Sequence, residues 1–145
     1  GGAFMPLPAA SYAALFREKI SKHGSNVYLV NTGWTGGAYG VGKRMDINAT
    51  RKIVASILDG SINDVSFSAP DKHFQLSFPT TLPGVEATVL DPSKAWQDKA
   101  AFEETCKKLS AQYKANFEKF ETDDFMRILA TFGPCGNALL KTESA

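Results

Sequence analysis

Between Ser11 and His23 the apolar residues Tyr12, Leu15, Phe16 and Ile20 fall at offsets of three, four and eight from the first, with polar residues between them. That spacing gathers them on one face of an amphipathic helix, which Gly24 is placed to stop. The following run, Asn26-Val27-Tyr28-Leu29-Val30-Asn31, is β-branched and aromatic with polar ends, and it predicts a buried strand. A second helix is expected where Asn48 can cap and Ile53, Val54, Ile57 and Leu58 share a face, with Gly60 to end it. Two alternating runs, 65–69 and 74–78, flank Pro70-Asp71-Lys72-His73 and predict a hairpin, or two strands that need not be neighbours. Prolines at 70, 79, 83 and 92 argue for an extended crossing segment rather than another helix. Beyond them Phe102, Cys106, Leu109, Tyr113, Phe117 and Phe120 mark a long helix between Ser93 and Phe120, its stripe packed on the core. A last helix from Asp124 should bury Phe125, Ile128, Leu129 and Phe132 before Gly133-Pro134 breaks it. Helices with interspersed strands define a mixed α/β chain.

Length and charge narrow the class. The 145 residues suit one domain, or part of one, and 43% hydrophobic with 21% charged residues describes a globular chain with a packed interior. Sixteen basic and fifteen acidic residues are scattered along the sequence, which leaves no electrostatic footprint for nucleic acid or an anionic membrane. No apolar run approaches the roughly 18 to 20 residues that span a bilayer, and no charged-then-apolar leader opens the chain, so a cytoplasmic protein is expected. Cys106 and Cys135 lack zinc or CxxC spacing and are expected to be buried free thiols. The opening Gly1-Gly2-Ala3-Phe4-Met5 has no initiator methionine and reads as interior chain, as if the piece were cut from something longer.

The most unusual stretch, from Thr32 to Arg44, holds five glycines in the ten positions 33–42. Gly37 to Lys43 satisfies the GxxxxGK half of a P-loop after a predicted strand, but Arg44 stands where a Ser or Thr should reach magnesium. A phosphate cradle and a tight loop whose glycines supply positive φ both fit the residues. Lys43, Arg44 and Arg51 cluster positive charge beside it, suited to a phosphate-bearing ligand or simply to a solvated rim. His23 at a helix end and His73 at a turn have no second ligand at metal spacing, and Asp123-Asp124 reads as a helix cap. No catalytic residue and no metal ligand is assigned.

Tyr28-Leu29-Val30-Asn31-Thr32-Gly33-Trp34, then Gly40-Val41-Gly42-Lys43-Arg44-Met45 and Thr50-Arg51, resemble the C-terminal part of ATP-dependent phosphoenolpyruvate carboxykinases. Leu82-Pro83-Gly84-Val85, Val89-Leu90-Asp91-Pro92 and Asn116-Phe117-Glu118-Lys119-Phe120 continue the likeness in the same order. The resemblance implies a single fragment, residues 1–145, of the carboxykinase nucleotide-binding domain. It implies conversion of oxaloacetate and ATP to phosphoenolpyruvate, carbon dioxide and ADP by the parent protein, with a divalent metal (Mg or Mn) held outside this segment. Carried over residue by residue, the nucleotide contacts become Arg44, Met45 and Thr50. The family's P-loop, metal ligands and substrate arginines would lie upstream of Gly1, so this segment alone should not turn over substrate. Pro8 departs from the histidine often found there, and Glu143-Ser144-Ala145 does not match a Ser-Lys-Leu signal. A freestanding, non-catalytic nucleotide-binding or interaction module is the alternative.

Overall fold

A computed structural model describes residues 4–134. Helix α1 (Ala9–His23) opens them and stops at Gly24, whose left-handed φ of 60° lets its N–H return to the Ile20 carbonyl at 2.8 Å. The periodicity placed this helix correctly, but its apolar face is largely bare: Leu15 and Phe16 are exposed and no residue of α1 is buried. It touches α6 (Asp124–Thr131) where the Arg17 guanidinium lies 5.4 Å from the Phe125 ring centroid.

The expected strand at 26–31 is extended chain with no sheet partner. None of the backbone groups of Val27, Tyr28, Leu29 or Val30 makes a hydrogen bond among the described residues, and Leu29 is 80% exposed. A strand needs a neighbour to complete its ladder, and the described residues supply none at this edge. What sheet there is lies just beyond, where β1 (Trp34–Thr35) pairs antiparallel with β2 (Lys43–Arg44), Trp34 opposite Arg44 and Thr35 opposite Lys43.

Helix α2 (Ile47–Leu58) follows at once, capped by Asp46 rather than Asn48: the Asp46 carboxylate accepts from the Ala49 N–H at 2.9 Å. Ile53 and Ile57 are half-buried, whereas Val54 and Leu58 on the expected apolar face are exposed and Ala49 and Ser56 are buried instead. A 3-10 turn at Ser61–Asp64 buries Ile62. The hairpin expected next exists in minimal form: Phe67 bridges Pro79, with Ser68 N–H to Phe78 O and Thr80 N–H to Ser66 O both at 2.8 Å. Its connection is organised by Asp71, whose carboxylate accepts from the N–H groups of His73, Phe74 and Leu76 at 2.8–2.9 Å. Gln75 is held there at φ 58°, in the left-handed region.

The proline-rich crossing is less extended than expected. It contains two single-turn helices, α3 (Ala87–Leu90) and α4 (Pro92–Ala95), and Pro92 opens the second at the first-turn position where a missing N–H costs nothing. The long helix is α5 (Lys99–Phe117), which starts later than Ser93 because Asp98 caps it through the Ala101 N–H at 2.9 Å. Lys99 Nζ ties α4 to α5 through the carbonyls of Ser93 and Trp96 at 2.6 and 2.7 Å. Cys106 is buried as expected, but Leu109 and Tyr113 are exposed and Ser110 is fully buried, its hydroxyl donating to Lys107 O at 3.0 Å. The predicted stripe holds at its ends, where Phe102, Phe117 and Phe120 are half-buried, and at Cys106, while in its middle Ser110 takes the covered place expected for Leu109. In α6 Phe125 and Leu129 are half-buried on the expected face, Met126 is buried, and Ile128 and Phe132 are exposed. Cys135 lies outside the described residues.

Among the described residues the architecture is thus mixed, largely helical, with one small two-stranded sheet. Its apolar core is thin: Ala49, Ile62, Leu82, Leu90, Cys106 and Met126.

Candidate functional site

The glycine-rich stretch is a hairpin loop. Residues 36–42 connect β1 to β2, and the Met45 N–H extends the ladder to the Gly33 carbonyl at 2.8 Å. Asn31 braces its base, accepting from the Gly33 N–H at 2.9 Å and donating to the Trp34 carbonyl at 3.2 Å. The turn is closed tightly: a Cβ on Gly42 would lie 2.6 Å from the Thr35 carbonyl oxygen, closer than a side chain can sit. Tyr39, at the tip, is 85% exposed and meets the Trp34 ring edge-on at 5.2 Å. A P-loop runs from strand to helix, whereas this loop runs from strand to antiparallel strand, so the GxxxxGK match does not build a phosphate cradle.

The hairpin instead delivers residues 43–45 to the start of α2. Arg44 is exposed, and neither its side chain nor that of Lys43 or Arg51 makes an ion pair or hydrogen bond among the described residues. Thr50, half-buried in the first turn of α2, donates its hydroxyl proton to the Asp46 carbonyl at 3.1 Å and keeps its lone pairs available. Met45 is half-buried and lines an apolar groove of about 430 Å³ with Val30, Ile53, Ile57, Leu76 and Phe78. Arg44 and Met45 are chain neighbours on the hairpin edge and Thr50 sits one helical turn on. No one cavity among those described encloses all three.

On the other side of the hairpin a cleft of about 670 Å³ separates Lys43, Val41 and Gly42 from Lys94, Trp96 and Asp98 of the α4–α5 region. Sequence reading passed over Lys94 and Trp96; Pro92 as a helix opener was the signal available. Among the described residues no three His, Cys, Asp or Glu side chains converge as metal ligands.

His73 serves the fold. It is buried, and its Nε2 lies 2.9 Å from Glu103 Oε2, which also takes the Lys72 ammonium at 2.7 Å. The Lys72 hydrogen bond, and after it that of His73, holds the Glu103 carboxyl below the usual carboxylate range. Burial, and then the Glu103 and Asp71 carboxylates, push the Cys106 thiol up, so it stays protonated and unreactive. Asp123 caps α6 through the Met126 N–H at 2.9 Å, and Asp124 pairs with Arg127 at 2.7 Å.

Comparison with known proteins places this hairpin and helix in a family. The sequence model of phosphoenolpyruvate carboxykinase matches residues 1–88, a span that includes the whole hairpin and α2. The chain belongs to the phosphoenolpyruvate carboxykinase family. Within it, curated relatives named phosphoenolpyruvate carboxykinase (ATP) are similar over most of its length. The Campylobacter lari protein is 54% identical over 121 residues, 83% of this chain, and the Brucella anthropi protein 50% identical over 122 residues, 84% of this chain. The Rubrobacter xylanophilus protein is 47% identical over 121 residues. The matched part spans 23% of each of these relatives.

Proposed function

We propose that these residues are the C-terminal segment of the nucleotide-binding domain of an ATP-dependent phosphoenolpyruvate carboxykinase, and that Arg44, Met45 and Thr50 hold the nucleotide. The observation that carries the reading is the junction of hairpin and helix. A loop closed by backbone packing at Gly42 sets the main chain at Arg44, whose guanidinium has no protein anion paired with it among the described residues, beside the first turn of α2 where Thr50 offers lone pairs. A guanidinium that keeps its charge and five donors suits ribose or phosphate oxygens. The Met45 thioether, facing an apolar groove, suits a purine ring.

The parent protein would convert oxaloacetate and ATP to phosphoenolpyruvate, carbon dioxide and ADP. Phosphoryl transfer of this kind rests on positioning and charge neutralisation. This segment contributes positioning: among the described residues no set of metal ligands converges, and we assign the divalent metal to the rest of the polypeptide. We place the enzyme in the cytoplasm; among the described residues no helix is long and apolar enough to cross a membrane. The bare apolar faces of α1 and of residues 27–30 weigh against a freestanding module.

The test is equilibrium binding of ATP to the full-length protein by titration calorimetry. Arg44→Ala should weaken ATP binding and leave oxaloacetate binding unchanged. Unaltered ATP affinity in a folded variant would remove Arg44 from the site.

A further inference from the structure

The four residues Val27, Tyr28, Leu29 and Val30 have an extended backbone with no hydrogen-bond partner among the described residues, yet they are not loose chain. At one end the Asn26 amide and the Tyr28 hydroxyl both donate to Asn63 Oδ1, at 3.2 and 2.9 Å. At the other, Asn31 locks the turn into β1 through Gly33 and Trp34. Apolar grooves flank the segment, one shared with Phe16, Ile20 and Val54 of α1 and α2, the other with Phe67, Leu76 and Phe78. Side chains of β-propensity, apolar on both sides of the pleat, are the composition of a strand covered on both faces inside a sheet.

We infer that residues 27–30 are a pre-extended strand that pairs with a β-strand from the part of the same polypeptide outside these 145 residues. The inference rests on the reading of the chain as a segment of a longer carboxykinase. The relatives supply the room, since this chain matches 23% of their length. The occupant is a strand rather than a helix because the unmet groups are main-chain N–H and C=O, which only another extended backbone can meet in register. Anchors at both ends mean that little ordering remains for pairing to impose. Side chains from the incoming element would fill the flanking grooves.

Amide hydrogen exchange on the full-length protein tests this. The N–H groups of two alternate residues among 27–30, those facing the partner strand, should exchange at least about a hundredfold more slowly than free chain, as ladder amides do, with or without ATP. A photo-cross-linking residue in place of Leu29 should link within the same molecule to a residue outside these 145. Exchange at free-chain rates at all four residues in the folded protein would overturn the pairing. Protection that appears only as concentration rises, with a link between two molecules, would overturn it in favour of a second copy. Neither readout depends on nucleotide, so unaltered ATP affinity in Arg44→Ala with protection intact would sink the proposed nucleotide site and leave this pairing standing.

Discussion

Thr50 permits a test that turns on one exocyclic group of the purine. Its hydroxyl has a single proton, and that proton is already given to the Asp46 carbonyl at 3.1 Å. What remains toward a ligand is an acceptor. At position 6 adenine presents an amine, a donor, whereas hypoxanthine presents a carbonyl that can only accept. If Thr50 faces that edge, as the proposed site requires, it favours ATP over ITP by one neutral hydrogen bond. Such a bond contributes about 1 kcal/mol, or roughly fivefold. Thr50→Val removes the acceptor and keeps the branched shape; the two residues have similar helix propensity, so α2 should persist. Because the contact is the same in the ground and transition states, the loss appears in KM and not in kcat. We predict that in the full-length enzyme, at saturating oxaloacetate, the variant shows a KM for ATP raised about fivefold and an unchanged KM for ITP. Thr50→Ser should restore the preference. An equal rise for both nucleotides, or a change confined to oxaloacetate, would refute the reasoning.

Arg44→Lys keeps the charge but loses the planar fork, and should recover only part of the loss of about 2 to 3 kcal/mol expected for Arg44→Ala; the KM for ATP, compared across the two variants, checks this. Gly42→Ala should destabilise the hairpin by about 1 to 3 kcal/mol, because its Cβ would meet main-chain atoms that cannot yield; a lower urea midpoint with weaker ATP binding is the expected pair of results. Glu103 sets an acid limit. Its carboxyl is depressed by Lys72 and then His73, so its contribution is present above the ordinary carboxylate range and is lost as pH falls through the lower folded value. The gap in melting temperature between the parent protein and Glu103→Gln should therefore be widest above the ordinary carboxylate range and narrow as the pH is taken below it; a gap that widens on acidification would contradict the pairing seen.

Helices α1, α2, α5 and α6 were legible because their signal is local: a period near 3.6 and a capping side chain lie within a few residues of each other. The residue that wins inside such a pattern is not local. Ser110 and Met126 took buried places that periodicity gave to Leu109 and Ile128, because the direction of approach of neighbouring elements sets which side of a helix is covered. Asp46 displaced Asn48 as cap because the ladder bond from Met45 to Gly33 fixes where the chain can begin to coil. The segment 26–31 was read correctly as strand-like chain and wrongly as buried, since the partner that would bury it is absent from the described residues. For the site, the glycine loop advertised itself, but its direction did not: composition cannot distinguish strand–loop–helix from strand–loop–strand. Arg44, Met45 and Thr50 came from family likeness, and no spacing rule would have chosen them.

The turn at Asp71 carries a consequence for the order of folding. One carboxylate collects three N–H groups, all within five residues of it, so the turn can close without waiting for distant chain to arrive. Loops of this length close in about 10 to 100 ns, well before helices from separate parts of the sequence can dock. Lys72 and His73 emerge from that closed turn already aimed, and Glu103, thirty residues on, is the first long-range group they meet. A nucleus assembled there would seat α5 against the hairpin early. Residues 27–30, whose partner strand we place elsewhere in the polypeptide, would then be among the last to settle.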